Sequence, residues 1–331
     1  MKILFTGASS FTGYWMAREL AEAGHEVVAT FTHPKAESYE GLRGQRVQRV
    51  LPWVRPIFAV STGSPSFLDL LRSEDWDLWA QHGAEAKDYK SLEFDWRSAV
   101  IENALQLEQN LTAFAKARGR AVVLTGTYFE AEEGAGTEPR MAFSPYGLSK
   151  TLTSQAYRFA AQAAGLTLAK YVFPNPVGPF EEPRLAASLV AAWKKDEVAQ
   201  LHTPGYIRDN LPAPLLARDY VAFAEQASRL SPGTWTRRNP SGWVESVGVF
   251  AQRIADEFGR RSGKTFAVRG DAQTIWREPK DRHNLHPCLA LFSAEEQRAF
   301  WDAWHAYYFE SAIHSADTPQ KILPAIPDYF R

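Results

Sequence analysis

Residues 2–31 read KILFTGASSFTGYWMARELAEAGHEVVATF, an apolar run, a glycine turn between Gly7 and Gly13, a helical pattern and, after Gly24, a second apolar run. Two buried strands joined through a helix lie parallel in one sheet with a right-handed crossover, so the chain opens as an α/β protein with helices on both sheet faces. Glycines at the end of such a first strand permit a tight turn whose amides, with the helix N-terminus behind them, face a pyrophosphate. Ser10 stands where the middle glycine of that turn belongs. Serine is small and carries a hydroxyl, so the expectation is a narrowed but working turn (Gly7, Ser9, Ser10, Phe11, Gly13), with the Ser10 hydroxyl offered to a phosphate oxygen.

The rest of the first half keeps this rhythm. DWDLWAQHGA reads as a strand, SAVIENALQLEQNLTAFAKARG as one long amphipathic helix ending at Gly119, and AVVLTG as another buried strand. From about Pro174 the texture changes, because FPNPVGPFEEPRL and HTPGYIRDNLPAPLL are proline-rich and lack regular periodicity. The expected fold is a Rossmann-type doubly wound parallel sheet with a smaller mixed α/β substrate-binding lobe. Residues 1–175 with roughly 209–240 form the dinucleotide-binding domain, and 176–208 with 241–331 the lobe.

Composition narrows the partners. Lys+Arg 37 against Asp+Glu 38 leaves a formal charge of -1, which gives no electrostatic footprint for nucleic acid or a membrane surface. The single cysteine, Cys288, excludes an internal disulfide framework and suits a cytoplasmic protein. No apolar stretch approaches membrane-spanning length. His283 and His286 in HNLHP have no third ligand beside them, so no metal is expected.

A dinucleotide site needs a group for the adenosine ribose, commonly a carboxylate at the end of the second strand for NAD. Here that end is VVATFTHPK, with Thr32, His33 and Lys35 and no acid. NAD or NADP is expected, and the basic character suits the extra phosphate of NADP. Further along, SPYGLSK puts Tyr146 and Lys150 on one helix face. A neighbouring ammonium favours tyrosinate and would draw the phenol from its usual value of roughly 10 toward neutrality, making Tyr146 an acid/base for a carbonyl/alcohol couple. The preceding strand, AVVLTGTYFE, delivers Thr125 and Thr127 to the sheet edge where open α/β proteins bind ligands.

Together these segments resemble the extended short-chain dehydrogenase/reductases, in particular the NAD-dependent epimerase/dehydratase group that acts largely on nucleotide sugars. TGASSFTG corresponds to the family's TGxxGxxG, YGLSK to its YxxxK and NPVGP to its N-x-x-G-P turn, while RDNLPAPLLARDYVAFAEQA, which retains Asp219, and GTWTRRNPSGWVESVGVFAQRIADEFG are similar to its later segments. The resemblance implies that Tyr146 is the acid/base, that Lys150 tunes it and binds the ribose, and that Thr127, with Thr125 in reserve, is the active-site hydroxyl. It makes Asn103 the family's helical asparagine, although Gln106 and Leu107 replace the Gly-Thr that follows. It sets His82, Gly83 and Ala84 over the cofactor, and Pro174, Asn175 and Val177 at the nicotinamide and substrate. Arg184, Arg208, Arg277 and Arg282 are candidates for a substrate pyrophosphate, with Arg184 and Arg277 first by position in the fold. A homodimer built from helices near 97–118 and 146–164 is also implied.

Departures set limits. Dehydratases of the family follow the threonine with an Asp-Glu pair, whereas Tyr128 and Phe129 stand here, which disfavours dehydration. Glu130, Glu132 and Glu133 are read as a solvated loop. Epimerisation and net ketone reduction remain open, as do an NADPH-dependent reductase of non-nucleotide carbonyl compounds and a catalytically silent dinucleotide-binding sensor or scaffold.

Overall fold

The computed structural model describes residues 1–310. Seven strands form one parallel sheet: β1 (Lys2–Thr6), β2 (Glu26–Thr30), β3 (Arg55–Ile57), β4 (Leu78–Gln81), β5 (Ala121–Thr127), β6 (Thr167–Phe173) and β7 (Trp235–Arg238), in the spatial order β7-β6-β5-β4-β1-β2-β3. From β1 the chain crosses outward to β2 and β3, then returns to lay β4 on the other side of β1, with Ile3 beside both Val27 and Leu78. That reversal opens a crevice beyond the carboxyl ends of β1 and β4, where such sheets bind ligands.

Both sheet faces are covered, which explains the nearly continuous apolar strands. Alternate residues feed opposite cores. Ile3, Phe5, Val27, Ala29, Leu78, Ala80, Ala121 and Val123 pack with α1 (Phe11–Glu22) and α2 (Gly41–Val50). Leu4, Val28, Trp79, Val122 and Leu124 pack against α3 (Pro65–Ser73) and its neighbours on the other face. Trp79 is fully buried, and its indole N–H donates to Gln81 Oε1 at 3.0 Å, so its bulk enters the core without an orphaned donor.

The long helix expected before Gly119 is two helices, α4 (Trp96–Asn103) and α5 (Leu107–Lys116). Gln106 breaks it by adopting a left-handed backbone, φ +53. The resemblance marks this as a glycine position, and a glycine there would adopt that conformation without its Cβ penalty. After β5 comes α6 (Pro145–Ala163), started by the Ser144 hydroxyl accepting from Gly147 N at 2.9 Å, with Pro145 in the first turn.

Beyond β6, the chain forms α7 (Leu185–Trp193), the strand Ile207–Pro212, which falls in a stretch read as lacking periodicity, and α8 (Ala213–Ser228). Ile207–Pro212 pairs parallel with Asn175–Val177 and antiparallel with Trp243–Ser246. Its polar side chains concealed the alternation, because buried Asp209 accepts from Gly242 N at 2.6 Å and Asn284 N at 2.9 Å instead of facing solvent. The helices α9 (Val247–Ser262) and α10 (Ala294–Phe309) enclose an aromatic layer of Trp243, Phe250, Phe258, Phe300, Trp301 and Trp304. The indole of Trp304 and the hydroxyl of Tyr308 both donate to buried Glu181 Oε1, tying α10 to the loop after Asn175–Val177. Burial raises the Glu181 carboxyl to about 7.

Candidate active site

The crevice begins at the glycine turn. Gly7 has φ +83, and a Cβ there would sit 2.7 Å from Gly83 N, so the ends of β1 and β4 touch only because Gly7 has no side chain. At Gly13 a Cβ would meet Gly7 O at 2.1 Å. Ser10 is the N-cap of α1, but its hydroxyl is not available to a ligand as expected. It donates to Gly7 O at 2.9 Å, accepts from Gly13 N at 3.1 Å and lies 3.0 Å from His82 Nε2. The amides of Phe11 and Thr12 make no hydrogen bond among the described residues. Two bare donors at a helix N-terminus, above a turn that leaves no room for side chains, fit the pyrophosphate of a dinucleotide.

His82 lies at the centre of the crevice. Its Nε2 also meets Thr12 Oγ1 at 3.1 Å, its Nδ1 meets Thr125 Oγ1 at 2.9 Å, and its ring rests between Phe5 and Phe173. Burial, with Lys150 nearby, pushes its pKa down to about 3, so the imidazole is neutral and bridges hydroxyls. The backbone N–H groups of His82 and Gly83 donate to Thr6 Oγ1 at 3.1 and 2.9 Å, while Ala84 is exposed.

At the far end of the turn, Thr32, His33 and Lys35 are exposed. Tyr39 OH takes the His33 N–H at 3.0 Å, and the His33 ring stands edge-on to the Tyr39 ring. Arg43 of α2 lies 5.1 Å over Tyr39 and donates from Nε to Ser9 Oγ at 3.0 Å. Its place in the site was invisible in sequence, since 34 residues separate it from Ser9 and no motif links them.

The other end of the crevice carries the catalytic candidates. Gly147 lets α6 approach the loop after β5, because a Cβ there would lie 2.3 Å from Phe129 O. Tyr146 is enclosed by the rings of Tyr89, Phe94 and Phe129, and burial pushes its phenol above the ordinary range, with Glu130 and Tyr89 acting in the same sense. That overturns the expected depression. Lys150, buried one helical turn on, is brought down to about 8. Thr127 is buried, and its Oγ1 accepts from Phe129 N at 3.3 Å while keeping its own proton to donate. Asn103 is buried with Oδ1 accepting from Glu85 N at 2.8 Å and an Nδ2 that is unpaired among the described residues.

The solvated acidic loop is also overturned. Glu130 and Glu133 are buried on Lys170, and only Glu132 faces solvent. The runs of acids and prolines resemble a surface loop in sequence, but Lys170 lies 40 residues from Glu130 and only folding joins them.

The arginines separate. Arg208 is consumed internally, with NH1 on the carbonyls of Ile207 and Pro279, NH2 on Glu278 at 2.8 Å and its guanidinium over Tyr206, so it is not free for phosphate. Arg277 is exposed. Arg184 lies over Tyr89, has a buried Nε without a partner among the described residues and acts electrostatically on Tyr146. Pro174 and Val177 are buried, and Asn175 Nδ2 donates to Asn210 Oδ1 at 3.2 Å.

A family model described as the NAD dependent epimerase/dehydratase family matches residues 3–226. Among solved structures, the Bacillus cereus UDP-glucuronic acid 4-epimerase in complex with UDP-glucuronic acid and NAD superposes with TM-score 0.68 at 18% identity, covering 94% of this chain and 99% of that one. A Stenotrophomonas maltophila UDP-glucose-4-epimerase with bound NAD and formylated UDP-arabinopyranose gives TM-score 0.70 at 16% identity, over 93% and 98%. The Thermotoga maritima UDP-glucose 4-epimerase with UDP-glucose gives 0.67 at 16%, over 94% and 99%. No curated protein matches the chain.

Proposed function

This chain belongs to the NAD dependent epimerase/dehydratase family, and from that premise we propose an NAD(P)-dependent oxidoreductase or epimerase that acts on a nucleotide-activated sugar. The observation that carries the reading is the shared sheet edge of the bare Phe11 and Thr12 amides with Thr127, Tyr146 and Lys150. A nicotinamide, when bound, supplies the hydride acceptor and donor for a carbinol carbon. Tyr146 moves the proton of the sugar oxygen, and Thr127 hydrogen-bonds that oxygen through its spare O–H. Because burial, with Glu130 and Tyr89 acting in the same sense, holds the phenol protonated, the Lys150 ammonium is needed beside it when the proton leaves. Arg184, with its unpaired buried Nε, takes an anionic group of the nucleotide sugar, since a guanidinium forks onto phosphate or carboxylate oxygens. Arg277 is its exposed companion.

NADP is the proposed cofactor. Arg43 and His33 meet on the Tyr39 ring at the end of β2, with exposed Lys35 two residues beyond His33, and an arginine there accommodates a 2′-phosphate. A cytoplasmic homodimer through α4, α5 and α6 completes the reading.

The test is thermal melting with NAD, NADH, NADP and NADPH, followed by turnover of UDP-glucose and UDP-glucuronic acid. The expected result is a rise with NADP(H) exceeding that with NAD(H), because a ligand bound only by the folded state raises the melting temperature. Epimer formation from these sugars with no net change in the nicotinamide selects the epimerase; net NADPH oxidation on addition of a UDP-4-keto sugar, whose ketone accepts the hydride, selects the reductase. Tyr146→Phe should lower kcat by about 10²–10⁴-fold and keep the cofactor-dependent rise. Absence of any rise with all four nucleotides would sink the proposal.

A further inference from the structure

Behind the catalytic pair lies a group of buried charges that the proposed chemistry does not use. Glu130 is 0% exposed and Lys170 4%. Glu130 Oε1 accepts the Thr127 N–H at 2.7 Å, and Oε2 accepts from Lys170 Nζ. Lys170 also donates to Glu133 Oε1 at 2.8 Å, and Asn239 Nδ2 with Arg237 satisfies the other Glu133 oxygen. Gly126 makes room for this arrangement, since a Cβ there would lie 2.5 Å from Lys170 Cε and 2.8 Å from Glu130 Oε1. Fully buried Arg282 pins the same loop by donating to the carbonyls of Glu133 and Met141 at 3.1 and 3.0 Å. Charges removed from water are retained only where partners and geometry are fixed, and here the fixed oxygen is on the backbone of the proposed active-site threonine.

We propose that Glu130 is a positioning residue of the active site, its carboxylate fixing the backbone of Thr127 and supplying the negative charge that keeps Lys150 an ammonium ion. The inference rests on the reading of Tyr146 and Lys150 as the catalytic pair. Of the charges acting on Lys150, Glu130 favours the ammonium and Lys170 opposes it, while His82 across the crevice is neutral. Glu130 is also the foremost charge acting on Tyr146, in the sense that retains the phenolic proton. The carboxylate thus acts on both groups in the sense that retains their protons.

The experiment titrates Lys150 itself, in the full chain without nucleotide. In ¹³C-lysine-labelled protein the Lys150 Cε resonance is identified by its loss in Lys150→Arg and followed from pH 6 to 10. Glu130→Gln retains an oxygen for the Thr127 amide and removes the charge, so the Lys150 midpoint should fall by about one pH unit. Glu133→Gln disturbs the same buried group without facing Lys150 and should leave the midpoint in place. A midpoint unchanged in Glu130→Gln, or moved equally by Glu133→Gln, overturns the proposal. If Glu130→Gln does not fold, Glu130→Asp, which withdraws the charge, should give a smaller fall, and no fall overturns the inference. Since no turnover is required, a shifted midpoint in a protein inactive on every nucleotide sugar would retire the functional reading and leave the electrostatic one standing.

Discussion

Ser10 illustrates how one residue is read correctly in type and wrongly in role. Its small size keeps the turn, but the hydroxyl faces inward because His82 and Thr12 supply a polar floor that accepts and returns hydrogen bonds. The neutral state of His82 has a measurable consequence. Its folded pKa, about 3, lies below its ordinary 6.5, so the unfolded chain binds the extra proton between those values. This contribution to stability is complete above pH 6.5 and drains away as the pH falls toward 3. Urea midpoints at pH 7 and 4.5 should therefore drop further for the wild type than for His82→Gln; equal drops would show that His82 titrates normally. Arg43 gives a second prediction at this scale. Losing a charge-assisted hydrogen bond costs about 1.5–3 kcal/mol, so Arg43→Ala should weaken NADP binding by about 10–100-fold and leave NAD within a factor of about two. Calorimetric titration with both nucleotides decides it.

At the scale of elements, the apolar pattern found α1 and the strands β1, β2, β4 and β5, and it failed where a backbone conformation changed without a change in polarity. Across α4 and α5 the apolar spacing continues through the break, which depends on the single left-handed residue Gln106. Since a left-handed non-glycine residue costs about 1–2 kcal/mol and Gln106 is exposed, Gln106→Gly should raise unfolding stability by up to about 1 kcal/mol after the entropic cost of glycine. Chemical denaturation measures it, and a loss of stability would mean that the break is held by contacts of the glutamine. The Thr127–Met141 loop failed for the opposite reason. Its acids look solvated locally, but Lys170 and Arg282, distant in sequence, take them and their carbonyls inside.

For the whole molecule, the two sheet faces are each sealed by helices, and the aromatic layer under α9 and α10 is continuous with one of those cores. No helix among the described residues is long and apolar enough to cross a membrane. Apolar side chains do remain outside the cores on the helices assigned to the proposed dimer, with Ile101 67% and Phe159 75% exposed. Sedimentation velocity should give a dimer for the wild type and a monomer for Phe159→Glu; a monomeric wild type would remove the dimer from the reading.

The sequence by itself determined the parallel α/β architecture, the glycine turn and the Tyr146–Lys150 spacing, because each depends on patterns within a few residues: strand hydrophobicity, positive φ at Gly7 and one helical turn on α6. Tertiary structure alone decided what each polar group faces. It turned the Ser10 hydroxyl onto His82, brought Arg43 to Ser9, spent Arg208 on Glu278 and buried Glu130 on Lys170 beneath Thr127. A charged or polar side chain has the same local appearance whether water or a distant partner solvates it, and only the folded chain supplies the partner.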